Sequence, residues 1–78
     1  MKLSIDTRAE LQHAMIRAEE LRNHHLNQAD IAVSFIEIAT TEETMAKFLR
    51  IAKYHAKRAE YYQKMGEDIR KVVFGYEE

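Results

Sequence analysis

The chain reverses direction within Phe35-Ile36-Glu37-Ile38-Ala39-Thr40-Thr41-Glu42-Glu43-Thr44-Met45-Ala46-Lys47-Phe48. Thr40 followed by Glu43 has the spacing of a capping box: the hydroxyl accepts from an early helical N–H and the carboxylate reaches back to the cap. An apolar helical run ends just before this box and another begins just after it. The same spacing recurs at Thr7 and Glu10. Two long helices are therefore expected, over residues 7–39 and 42–74, with a tight turn at Ala39–Thr41 and Gly75 as C-terminal cap. The run Asn23-His24-His25-Leu26-Asn27 is poor in helix formers, so a break at 23–27, giving three helices, is the alternative.

The seven-residue register supports the hairpin. In the first helix Leu11, Ala18, His25, Ala32 and Ala39 share one seam position, alternating with Ala14, Leu21, Gln28 and Phe35. In the second, Met45, Ala52, Ala59, Gly66 and Val73 alternate with Phe48, His55, Tyr62 and Ile69. These are the two core positions of an antiparallel coiled coil. Small seam residues let the helix axes approach, but each contact then buries little apolar area.

Composition agrees with this reading. A chain of 78 residues without proline, and with two glycines, both beyond residue 65, lacks the turn residues an all-β fold needs. It makes one domain, residues 1–78. Such a short chain buries only about 60% of its unfolded surface, and one core of this size rarely supplies more than roughly 3–5 kcal/mol. With no cysteine there are no disulfides or thiolate zinc sites, and a reducing compartment is permitted. The opening residues Met1–Asp6 hold no apolar signal core and no segment is long enough to span a bilayer, so a cytoplasmic chain without membrane contact is expected.

The seam leaves much apolar surface uncovered. From Leu26 to Ala39, nine of fourteen residues are apolar and point all round the helix, so that helix must be covered on more than one side. A second copy completing a four-helix bundle would cover it, with Val33 and Ile36 in the dimer interface. Ile51, Tyr54, Tyr61 and Met65 form a flank outside the seam of the second helix and are the expected anchors for a protein partner.

Charge separates along the chain. Residues 5–44 carry three arginines against eight carboxylates, a net −5, and residues 45–74 carry eight cations against three carboxylates, a net +5. Complementary flanks of this kind favour antiparallel pairing. Arg50, Lys57, Lys64 and Lys71 recur every seven residues on the face remote from the seam. Such a stripe either is solvated or tracks phosphates, so binding of RNA or DNA is the alternative function.

A turn near residue 40 makes facing residues sum to about 80, which sets His25 opposite His55. Two facing imidazoles are a neutral hydrogen-bonded pair, a pH-sensitive pair, or two ligands of a metal. No His-x-x-x-His pair, and no Glu-x-x-His pair that includes His25 or His55, supplies further ligands, so no metal or other cofactor is expected. The spacing from Arg50 to His55 fits the Arg-x4–6-His motif of HEPN-type ribonucleases. It also occurs from Arg8 to His13 and, with six residues between, from Arg17 to His24. Side chains five apart diverge by about 140° on a helix, so the spacing builds no shared site. In size and heptad pattern the chain is similar to the plasmid-encoded Rop hairpins, which dimerise into a four-helix bundle and bind RNA; no motif is shared. The expected function is that of a small non-enzymatic regulator, adaptor or inhibitor that binds a protein.

Overall fold

Helix α1 (Ile5–Ile38) begins two residues earlier than the Thr7 box implies, because Ser4 is the cap. Its Oγ accepts from the Thr7 backbone N–H at 3.2 Å and donates to Thr7 Oγ1 at 2.8 Å. Starting at Ser4 also gives the Arg8 N–H an acceptor, the Ser4 carbonyl, at 2.9 Å. A cap that satisfies a further turn of backbone donors displaces one that does not. At Ala39 the backbone turns extended (φ −69°, ψ 138°), which ends α1. Helix α2 (Glu42–Gly75) is capped by Thr41 rather than Thr40, since Thr41 Oγ1 accepts from the Thr44 N–H at 3.1 Å. Gly75 is the last helical residue and not a left-handed cap: no described glycine has positive φ.

The computed structural model describes residues 3–75, and they form one antiparallel pair of helices. The run at 23–27 does not break α1. Its asparagine is accommodated on the surface, where the Asn23 side-chain oxygen accepts two bonds from Arg22 (3.1 and 3.3 Å).

The seam is the expected one. The buried side chains are Ala18, Ala32, Ala52, Ala59 and Val73, all seam residues, with Leu21, Gln28, His25, Phe48, His55, Tyr62, Gly66 and Ile69 half-buried between them. Phe35 stacks on Phe48 (centroids 5.1 Å apart, 19° between planes) near the turn, yet Phe35 stays exposed. No described side chain larger than valine is buried. At about 0.8 kcal/mol per methylene-sized group, such a core stabilises weakly. The result is a thin rod, 59 × 14 × 12 Å, with a radius of gyration of 17.5 Å against about 11.5 Å for a compact chain of this length.

Gly66 sits inside α2, where glycine costs roughly 1 kcal/mol relative to alanine. A Cβ there would meet only the Ala18 Cβ, at 3.9 Å, an ordinary contact. Gly66→Ala should stabilise the hairpin by about 1 kcal/mol and raise Tm by about 4–8 °C. Urea titrations of both proteins at one concentration check this; an unchanged or lower midpoint contradicts it.

Candidate functional site

Which side chains share a side of the hairpin follows from the register. Met15 and Arg22 stand four residues after a seam position of α1, and Gln63 and Arg70 four after one of α2; these four line one groove, of about 420 Å³, with Phe74. Counted from the seam position that holds Leu11, Ala18, His25 and Ala32 in α1 and Met45, Ala52, Ala59 and Gly66 in α2, residues four after or one after therefore lie on one side of the rod in both helices, here side A. Ala29, Ile36, Leu26 and Val33 of α1, and Ala46, Leu49 and Ala56 of α2, belong to side A. Residues one before that same position lie on the opposite side, side B, together with those two after it: His24, Ile31 and Ile38 of α1, and Ile51, Tyr54, Arg58, Tyr61 and Met65 of α2.

Side B carries a cluster of rings at mid-rod. His25 and His55 meet across the seam with Nδ1···Nδ1 2.7 Å, a hydrogen bond in which one ring carries the Nδ1 proton and the other accepts it. His25 stacks on Tyr62 (5.7 Å, 9°) and meets Tyr54 and His24 edge-on (6.3 and 5.2 Å). Arg58 Nη2 donates to Tyr62 Oη at 2.8 Å, and its guanidinium lies 4.9 Å from the Tyr61 ring centre and 5.0 Å from that of Tyr62. The pKa of His25 is lowered, first by desolvation in the seam and then by the neighbouring His55, His24 and Arg58 charges.

The histidine pair has the geometry of a hydrogen bond rather than of two ligands. Nitrogens bound tetrahedrally at about 2.0–2.1 Å from zinc stand about 3.3 Å apart, so both Nδ1 atoms would have to part to hold it. Among the described residues no group of three or more His, Asp or Glu side chains converges on a common point.

The four residues expected to anchor a partner lie along side B. Tyr54 and Tyr61 are 57% and 52% exposed and Ile51 lies at the margin of exposure, whereas Met65 is half-buried. Tyr54 packs against both seam histidines and Tyr61 against Tyr62 (5.2 Å), so these rings are held, not free. Val33 (46% exposed) and half-buried Ile36 lie on side A. Arg50, Lys57, Lys64 and Lys71 are all exposed, and none of them is in an ion pair among the described residues. Sequence reasoning missed Arg58 as a member of the cluster. Its four-residue spacing to Tyr62 is the signal that could have found it.

Among the described residues no helix is long and apolar enough to cross a membrane. Comparison with family models, with curated proteins and with solved structures gave no match.

Proposed function

We infer that the hairpin is a non-enzymatic interaction protein, a regulator, adaptor or inhibitor, which binds a protein partner along side B. The observation that carries this reading is the flank Ile51–Tyr54–Tyr61, which offers exposed apolar and aromatic area on a rigid helix and rests on packed rings. Tyrosines fixed in this way lose little conformational entropy on docking and bring a hydroxyl for an imperfectly dry interface. Arg58 adds a charge, shared between two tyrosine rings, that suits a carboxylate or a further aromatic ring on the partner. A helix laying its own apolar stripe beside α2 is the occupant this flank fits best.

The unpaired row Arg50, Lys57, Lys64 and Lys71 supports a second reading, contact with an RNA or DNA backbone. The two readings separate by salt and by mutation. A protein partner co-purified from the native cell should be retained from about 50 to 200 mM salt, where a phosphate-bound complex loses orders of magnitude in affinity. Tyr54→Ala with Tyr61→Ala should weaken that partner at least tenfold, and Lys57→Gln with Lys64→Gln should leave it nearly unchanged. The opposite pattern, with retention on RNA or DNA at low salt, replaces the first reading by the second.

A further inference from the structure

Side A is apolar where it nears the turn and has no cover among the described residues. Leu26, Val33 and Leu49 are exposed there beside half-buried Ala29 and Ile36, with the small residues Ala46 and Ala56 between them. The chain exposes 6283 Å² in all, roughly 1,350 Å² more than the about 4,900 Å² typical of a folded chain of 9.2 kDa. A standard stable interface takes about 800 Å² from each partner, so the excess is enough for one.

Two features bear on what covers this face. Among the described residues, five exposed large apolar side chains lie on side A, and three of them, Leu26, Val33 and Leu49, fall in the half of the rod next to the turn. In that same half the charges are fully sorted: α1 has Asp30 and Glu37 and no cation over residues 26–38, while α2 has Lys47, Arg50, Lys53, Lys57 and Arg58 and no carboxylate over residues 45–58. Two hairpins can stack side A on side A about a twofold axis in two ways. With the axis along the rod, both turns lie at one end, apolar half meets apolar half, and acidic α1 of each copy runs antiparallel to basic α2 of the other. With the axis across the rod, the turns lie at opposite ends, and each helix runs beside the copy of itself, so that helices of like net charge are neighbours.

The geometry points to a second copy of this chain as the occupant of side A, in a four-helix bundle whose two turns lie at the same end. Ala29, Ala46 and Ala56 allow close approach of the four helices, and Leu26, Val33, Ile36 and Leu49 fill the layers between them. Side B stays outside this bundle, so the inference stands apart from the partner binding proposed above.

Because the sequence has no cysteine, single labels can be placed at will. Spin labels on Thr40→Cys and, separately, on Asp6→Cys should each give an inter-copy distance below about 30 Å, the width of a labelled four-helix bundle. A crossed arrangement would hold the Asp6 labels apart by the order of the 59 Å rod, and that result overturns the same-end arrangement. The unlabelled protein should sediment as a dimer at micromolar concentration, and Val33→Glu should sediment as a monomer that keeps its helical circular dichroism. Leu26→Lys provides the same test if Val33→Glu does not fold. A wild-type monomer at high concentration, or a dimer that survives both substitutions, overturns the inference. Should such a monomer still bind its partner through Tyr54 and Tyr61, the dimer fails and the proposed function stands.

Discussion

Acidification from about pH 7.5 to about pH 5 should destabilise this hairpin, and His25→Leu combined with His55→Leu should reduce that dependence. The bond between the two Nδ1 atoms, 2.7 Å long, holds one proton. It survives the first protonation of the pair, because an imidazolium still donates to a neutral ring, and is lost on the second, when both nitrogens carry protons that face each other. His25 lies in a partly dry seam, with the charges of His55, His24 and Arg58 around it and no carboxylate among its contacts in the cluster, so its pKa falls below the ordinary 6.5. With the folded value below the unfolded one, the unfolded chain binds more protons between them, and stability rises with pH across that window. The contribution is complete above about pH 6.5 and lost as pH falls through and below it. Urea midpoints at several pH values, at one protein concentration, measure it. An acid limb equally steep in wild type and double variant would show that other groups carry it. Added zinc should not raise the wild-type Tm, since two imidazoles already bonded to each other bind it weakly; a rise specific to the wild type would mark a metal site.

The facing of His25 and His55 was legible in the sequence because it follows from two facts, a turn position and a register. The heptads fix which residues enter the seam, and a turn near residue 40 fixes which of them meet. The helix starts were less legible. Ser4 with Thr7 and Thr7 with Glu10 both spell a cap, and so do Thr40 with Glu43 and Thr41 with Thr44. Which pair caps depends on how many backbone donors the longer helix satisfies, a sum over the whole turn that no single pair reveals. The expectation of a possible break at 23–27 weighted local propensity, but His25 gains its partners only if α1 is continuous, and tertiary packing overrides propensity there. The ring cluster was half legible. Tyr54, Tyr61 and Tyr62 stood out one by one, whereas their connection through Arg58 needs three side chains to choose rotamers together. What covers each side is least legible, because an exposed face records only that its cover lies outside the chain.

Ala59→Leu should be the most damaging conservative substitution in the molecule. Ala59 is 3% exposed, and with Ala18, Ala32 and Ala52 it brackets the layer in which His25, His55 and Tyr62 meet. These rings can reach one another because alanines stand beside them in the seam, and a methyl group on one helix of each neighbouring layer lets the helix axes approach. Three added carbons at position 59 must either take a strained rotamer against the rings or push the helices apart. Overpacking of this kind costs about 1–3 kcal/mol, a large share of the roughly 3–5 kcal/mol that one small core supplies. It also carries a specific signature. A separation of about 1 Å turns a 2.7 Å hydrogen bond into a contact beyond bonding range, so the Nδ1 proton held between His25 and His55 should become open to exchange with water. An Nδ1 proton resonance of the pair is expected at low temperature in the wild type and should vanish in Ala59→Leu, and the acid dependence of stability should flatten with it. Ala9→Leu, at an exposed position of α1, adds the same carbons outside the seam and should change neither the midpoint nor that resonance. If Ala59→Leu behaves like Ala9→Leu, the seam has room to spare, and close approach through alanine is not what brings the histidines together.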